Sequence, residues 1–338
     1  MSQNNNSRTR AFEAVDNSTN ESRRKVVIAI FVVVALILAA FATLIIGKIA
    51  SNLPEKTPLG SKYDTTTVLK DSGDVKIGNL LYISKDSLYT LPTDFSNMIN
   101  VYNAQRNDEY AATTAINGKI TYSLSRTDIA LEINTFNSFN QMIIDYCNES
   151  VDLLNANSDS ASNLIIAWGG YLPETIHEYE GYDLPTLGHD YYDHILGTTL
   201  VLRRYSDSAR ITEDILKNDF SWIYQNAHKY GFILLFPNAC ADHNSNFDSK
   251  TRIHLRYVGD EHATYIYENQ ICFQEYLELL RGQHNSLDKA LTVNANGSTY
   301  LIYYIKETGN PTSIPVPKDC EYTISGDNMN GFIVSVKQ

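Results

Sequence analysis

The side chains able to ligate a metal or move a proton gather in two polar stretches. GHDYYDH (188–194) carries His189, Asp190, Asp193 and His194, and CADHNSNFDSK (240–250) carries Asp242, His243 and Asp248. Imidazoles and carboxylates at short range are the donors of zinc and calcium sites. Spacing argues against both readings. On an extended segment Asp193 points to the face opposite His194. A calcium loop needs carboxylates at alternate positions closed by a glutamate, which the second stretch lacks. Each stretch therefore reads as a solvated loop. Cys147, Cys240, Cys272 and Cys320 form no C-x-x-C pair, so neither a zinc ribbon nor a thioredoxin-like site is indicated. They suit small buried hydrophobes, with room for one or two disulfides in an oxidising compartment. His177 has no evident partner.

The chain around these residues begins with a polar tail and an apolar run. Val26 to Gly47 (VVIAIFVVVALILAAFATLIIG) is 22 residues without a charge, and about 20 such residues span a hydrocarbon core. A buried soluble helix would need a polar face, and a signal peptide would have a shorter core and a small-residue exit. Residues 26–47 are therefore expected to be a retained transmembrane helix. Arg23-Arg24-Lys25 abuts its N-terminal side, with Arg8 and Arg10 upstream, so the N-terminus is expected in the cytoplasm and the rest outside. Residues 1–25 read as a disordered tail and 48–64 as a linker.

Charge divides at the same place. The chain carries −12 in 338 residues, but residues 1–50 hold six Lys/Arg against three acids, a net of +3 that leaves −15 for the remainder. So acidic a region lacks the basic face that nucleic acid requires. Hydrophobic residues make up 43% of the chain, which supplies a core and excludes global disorder.

Apolar, β-branched runs at 79–84, 119–123, 164–168, 198–202, 232–236 and 253–258 predict strands. Helical spacing appears at 135–155, at 218–230 (N-cap Asn218 or Asp219, C′ glycine Gly231) and at 261–281 before Gly282. The mixture lacks a regular βαβ alternation, which predicts an α+β class. The β-like runs of 291–338 either form a small appendage or complete the main sheet.

Three segments, in order, carry an identification: DHILGTTLVL (193–202), WIYQNAHKYGFILLFP (222–237) and IHLRYVGDEHATYIYENQICFQEYLELL (253–280). GNLLYISKD (78–86), LIIAWGGY (164–171) and the terminal YTISGDNMNGFIVSV (322–336) add to it. Together they resemble the VanY family of zinc D-alanyl-D-alanine carboxypeptidases, over roughly residues 70–290 and the tail. The resemblance implies an α+β core, an antiparallel sheet flanked by helices, over 65–290, with 291–338 as a C-terminal β extension. It also implies a zinc ion held by two histidines and one aspartate, a glutamate base for the metal-bound water, and a substrate-site arginine in an S-G-Y-R turn.

Set on this sequence, the two histidine positions are His194 and His254. The aspartate position, seven residues after His194, is Val201, and the glutamate position, three before His254, is Thr251. The S-G-Y-R turn reads Gly169-Gly170-Tyr171-Leu172, which keeps Tyr171 at the substrate site and loses the arginine. The family's tryptophan before the second histidine is Ile253, and its serine two before the first is Tyr192. His228 and His262 match the family outside its ligand positions, where packing or helix-end hydrogen bonding is their expected role. Arg256 is expected to be structural through a buried carboxylate pair, with a substrate role as the less favoured reading.

Two histidines alone rarely hold zinc, and general acid–base help is worth ~10²–10⁴-fold in rate. The expectation is therefore a membrane-anchored pseudoenzyme at a bacterial surface. It has no catalytic residue, vestigial metal positions at His194 and His254, and no cofactor unless zinc proves to bind. Its expected partner is a peptidoglycan stem peptide or a wall-synthesis protein. The competing readings are an active zinc D,D-carboxypeptidase with substituted ligands and a non-catalytic scaffold of a wall-assembly complex.

Overall fold

The α+β class appears as a five-stranded and a four-stranded sheet that share a set of helices, with three smaller sheets beside them among the described residues. The computed structural model describes residues 63–69, 97–149, 160–171, 196–235, 237, 254–309, 312–327 and 331–338. Contacts divide the chain into Met1–Leu59 and Gly60–Gln338, and every described residue lies in the second unit. Among the described residues no helix is long and apolar enough to cross a membrane. The expected span 26–47, the tail 1–25 and the strand at 79–84 lie outside them.

The chain runs β1 (Tyr63–Leu69), β2 (Met98–Asn100), α1 (Val101–Ala104), α2 (Ala111–Thr114), β3 (Ala115–Ile116), β4 (Lys119–Ile120), β5 (Ser123–Leu124), β6 (Ile129–Glu132) and α3 (Ile133–Glu149). It continues through β7 (Leu164–Trp168), β8 (Gly170–Tyr171), β9 (Thr199–Arg204), α4 (Glu213–Asp219), α5 (Ser221–Asn226), a 3₁₀ turn (Ala227–Tyr230), β10 (Phe232–Leu234), β11 (His254–Tyr257), α6 (Asp260–Asn269) and α7 (Phe273–Gln283). The last strands are β12 (Leu291–Ala295), β13 (Ser298–Lys306), β14 (Thr312–Pro317), β15 (Tyr322–Gly326) and β16 (Gly331–Lys337). β1 begins at Tyr63, inside the stretch expected to be linker.

The central sheet has the order β10-β11-β9-β7-β5. All its pairs are antiparallel except β5 with β7, where Ser123 pairs Ile165 and Leu124 pairs Ile166 in parallel. The expected purely antiparallel sheet is corrected at that edge. The run at 119–123 also divides, into β4, which closes a hairpin with β3, and β5. Asn117 and Gly118 turn that hairpin at φ 50° and 74°, the left-handed pair a two-residue turn needs.

Alternate residues of a strand face opposite ways, and the central sheet uses both faces. Leu164, Ile166, Leu200, Leu202, Leu255 and Phe232 pack against α3. That helix presents Phe136, Phe139, Met142, Ile143 and Tyr146, buried at helical spacing. Its start is capped from β6: Glu132 Oε2 accepts from the backbone N–H groups of Asn134 (2.9 Å) and Thr135 (3.0 Å), partners those donors otherwise lack. On the opposite face Ile233 and Leu235 join Val258, Ala263, Ile266, Phe273, Tyr276 and Leu280 of the α6–α7 side.

Two expected helices are broken. The stretch 218–230 opens at Phe220 (φ −125°, ψ 40°), which separates α5 from α4, a helix capped by Thr212 that spacing did not reveal. Gly231 ends the 3₁₀ turn at φ 80°, the expected glycine stop. The stretch 261–281 breaks after Gln270, which takes a left-handed φ of 53°, and α7 restarts with the Cys272 N–H donating to Glu275 Oε2 at 2.7 Å. Helix α7 runs through Gly282 to a cap at His284, so that glycine does not end it.

The C-terminal run forms its own four-stranded sheet, β12-β13-β16-β15, while β14 pairs with β1. Val293, Ile302, Tyr304 and Ile333 of this sheet share a core with α6 and α7. Buried Asp327 fastens it, accepting from Arg281 Nε (3.0 Å) and from the Gly331 N–H (3.0 Å).

Candidate functional site

His254 opens β11 and is 1% exposed. Its register partner on β9 is Val201, itself 3% exposed. Across β9 the partner of Val201 is Trp168, reached through a bulge after Ile166 in which β7 spends one extra residue. Leu235, whose N–H donates to the His254 carbonyl at 2.9 Å, continues the row on the other side. Trp168, Val201 and His254 thus lie in one line over three neighbouring strands. They occupy the sheet face that turns from α3, since Leu200, Leu202 and Leu255 face α3. Trp168 is 37% exposed, so the row runs from a buried imidazole to an indole at the surface.

Two glycines bring the other resembling segments to this row. Gly197, three residues after His194, has φ +68°, and a Cβ there would meet Met98 Sδ at 2.5 Å and the Glu132 nitrogen at 2.6 Å. A Cβ on Gly170 would meet the Gly197 Cα at 2.7 Å. The turn carrying Tyr171 is therefore stacked on the loop that enters β9, and only hydrogen at both positions permits the approach. The Tyr171 backbone pairs with Ile129 of β6. His194, Thr251, Leu172 and His177 lie outside the described residues, as do the polar stretches 188–194 and 240–250.

On the same sheet face two residues beyond His254, Arg256 is 1% exposed, with its guanidinium carbon 4.7 Å from the Phe273 ring centroid. Such a contact ties β11 to α7. His262 is also internal: its Nδ1 lies 2.6 Å from the Tyr276 hydroxyl, and Ser335 Oγ donates to Glu261 Oε1 at 2.7 Å beside it. Burial pushes the His262 imidazole down to about 3 against a smaller opposing pull from Asp260. It is neutral near pH 7, so its 3.4 Å approach to Glu261 is a polar contact and not an ion pair. His228 stacks on Tyr267, ring centroids 3.9 Å apart and planes within 5°. Both histidines pack, as their positions outside the ligand pattern predict.

Among the described residues the donors beside His254 do not complete a zinc site. A two-histidine, one-carboxylate site needs an oxygen where Val201 presents an isopropyl group opposite His254. Among the described residues no group of three or more His, Cys, Asp or Glu is placed to hold a metal. The row sets a buried imidazole beside a buried aliphatic side chain, with an indole at its exposed end. Trp168 was not singled out from the sequence, although it immediately precedes the Gly169-Gly170-Tyr171 turn.

No family model matches the chain. It is 37% identical over 123 residues to a D-alanyl-D-alanine carboxypeptidase of Enterococcus faecium, a match covering 34% of this chain and 35% of that protein. It is 36% identical over 63 residues to the putative carboxypeptidase YodJ of Bacillus subtilis (strain 168), covering 19% of this chain and 22% of that protein. The chain thus spans about a third of the first relative's length and less of the second. Among solved structures it is similar to the vancomycin resistance D,D-dipeptidase VanXYg in complex with a D-Ala-D-Ala phosphinate analogue. That likeness has a TM-score of 0.56 at 18% identity and covers 82% of this chain and 99% of the other. It establishes the fold, and over the matched segments the chain is similar in sequence to these two carboxypeptidases.

Proposed function

We propose that the chain is a membrane-held, VanY-like pseudoenzyme that binds peptidoglycan stem peptides outside the cell without cleaving them. The observation that carries this reading is the pairing of Val201 with His254, which puts an aliphatic side chain at the position of the family's carboxylate ligand. Thr251 at the base position and Leu172 at the arginine position point the same way. A hydroxyl without an activator does not serve as a base near neutral pH, so the loss extends from metal binding to proton transfer. What the fold keeps is the frame: the stacked Gly170 and Gly197, the buried His254 and the exposed Trp168. The similarity to a D-alanyl-D-alanine carboxypeptidase and a D,D-dipeptidase makes a D-Ala-D-Ala-ended peptide the ligand to test first.

Residues 26–47 serve in this reading as the anchor, with 1–25 cytoplasmic and the region from 65 onward outside. The disulfide at Cys272 supports an oxidising compartment for that region. Calorimetry of the full-length chain with a muropeptide ending in D-Ala-D-Ala tests the binding half: saturable heat that a D-Ala-D-lactate peptide reduces is expected. No heat with either peptide would turn the reading toward a scaffold.

A further inference from the structure

A cavity of about 170 Å³ lies at the β10 edge of the central sheet, and none of His254, Val201 and Trp168 lines it. Its walls come from three elements and a loop: Leu216 of α4, Phe232 and Ile233 of β10, Ile266 of α6, and Ile271 in the loop after that helix. An apolar space of roughly 150 Å³ holds one benzene ring, so the volume sets the occupant at a single ring with a small substituent. His228 and Tyr267 complete the wall as a parallel stack, an arrangement that leaves neither ring free to collapse inward.

The polar lining selects the substituent. Lys217 Nζ and Glu213 Oε1 lie 2.6 Å apart, so the ammonium and the carboxylate at this cavity neutralise one another. The Gln270 amide donates to the Tyr267 carbonyl. His228 is different. It is 9% exposed, and its buried Nδ1 has no hydrogen-bond partner among the described residues. An unmet buried ring nitrogen is unfavourable, and a ligand hydroxyl at that atom would satisfy it. We propose that this cavity is a second binding site, for a small neutral phenol. Its ring lies on the apolar walls, and its hydroxyl hydrogen-bonds His228 Nδ1.

Burial, with the Lys229 charge added, pushes the His228 imidazole down to about 4. Near pH 7 the ring is therefore neutral and can meet a hydroxyl as donor or acceptor. A phenolate or benzoate would gain no free cation here, because Lys217 is already paired.

Titration calorimetry of the purified full-length chain with p-cresol and with toluene, its isostere without the hydroxyl, tests the site. Saturable p-cresol binding is expected, about 2- to 10-fold tighter than toluene, the worth of one net hydrogen bond. His228→Phe should retain toluene binding and bring the two affinities together. Ile271→Trp, which fills the cavity from its rim, should weaken both ligands at an unchanged melting temperature. Equal affinities in the unaltered chain, a preference that survives His228→Phe, or binding unaffected by Ile271→Trp would each overturn the proposal.

Discussion

Val201 and His254 face one another as register partners on β9 and β11, although 53 positions separate them in the chain. Two adjacent strands thereby hold side by side the two positions that the VanY resemblance assigns to a histidine and a carboxylate. The valine is 3% exposed, so its isopropyl group closes the place where an oxygen donor would sit.

Restoring the carboxylate should restore metal affinity. Val201→Asp buries a charge with no described partner, and such burial is costly until the charge is paired or ligated. The variant is expected to melt below the unaltered chain and to regain stability when zinc is added, whereas zinc leaves the unaltered chain unmoved. Melting curves with and without zinc check this.

Gly197 should tolerate no side chain. At φ +68° an alanine costs roughly 1–2 kcal/mol from the backbone conformation alone. Its Cβ would also sit 2.6 Å from the Glu132 nitrogen, which Met98→Ala cannot relieve. The double variant should remain as destabilised as Gly197→Ala to within about 1 kcal/mol in denaturant titrations.

Asp327 should be the most sensitive joint of the C-terminal sheet. It is fully buried and accepts from both Arg281 and the Gly331 backbone. Breaking a buried pair by removing one partner costs about 3–5 kcal/mol, with Arg281 at 22% side-chain exposure placing this case toward the lower end. Asp327→Ala should lower the unfolding free energy accordingly and raise hydrogen exchange in β15 and β16 first.

His262 sets a pH dependence with a definite sign. Its folded pKa is lowered by burial from 6.5 to about 3, so the unfolded chain binds the proton first. Its contribution to stability is complete above pH 6.5 and is lost as the pH falls toward 3. The slope is at most about 1.4 kcal/mol per pH unit. Between pH 7 and 5.5 His262→Gln should lose roughly 1 kcal/mol less than the unaltered chain. Denaturant midpoints at the two pH values measure the difference.

Cys147 and Cys320 should differ as thiols. Cys147 is buried at 0% exposure, and that burial pushes its thiol up to about 12, whereas Cys320 is partly exposed. A disulfide-exchange reagent is expected to label Cys320 in the folded chain and Cys147 only after unfolding, as peptide mapping would show.

Much of this fold was legible because local chemistry agreed with tertiary placement. Leu164–Trp168 is the strand its apolar run predicts, and Gly231 stops its helix at the φ only glycine adopts freely. The breaks were not legible. Gln270 is left-handed without being glycine, and Phe220 departs from helix while its ring lies in the core beside Tyr146. The parallel edge strand β5 is two residues long, too short to carry a pattern. At the site, Val201, Thr251 and Leu172 are singled out only by the VanY resemblance set on this sequence. That Val201 lies opposite His254, with Trp168 completing the row, depends on strand pairing, which spacing does not encode.

The most direct test of the central claim is zinc content measured together with D-alanine release from a D-Ala-D-Ala-ended muropeptide, on the full-length chain purified without chelators. A pseudoenzyme gives far less than one zinc per chain and release no faster than buffer. One zinc per chain, with turnover abolished by His194→Ala and by His254→Ala, would contradict it.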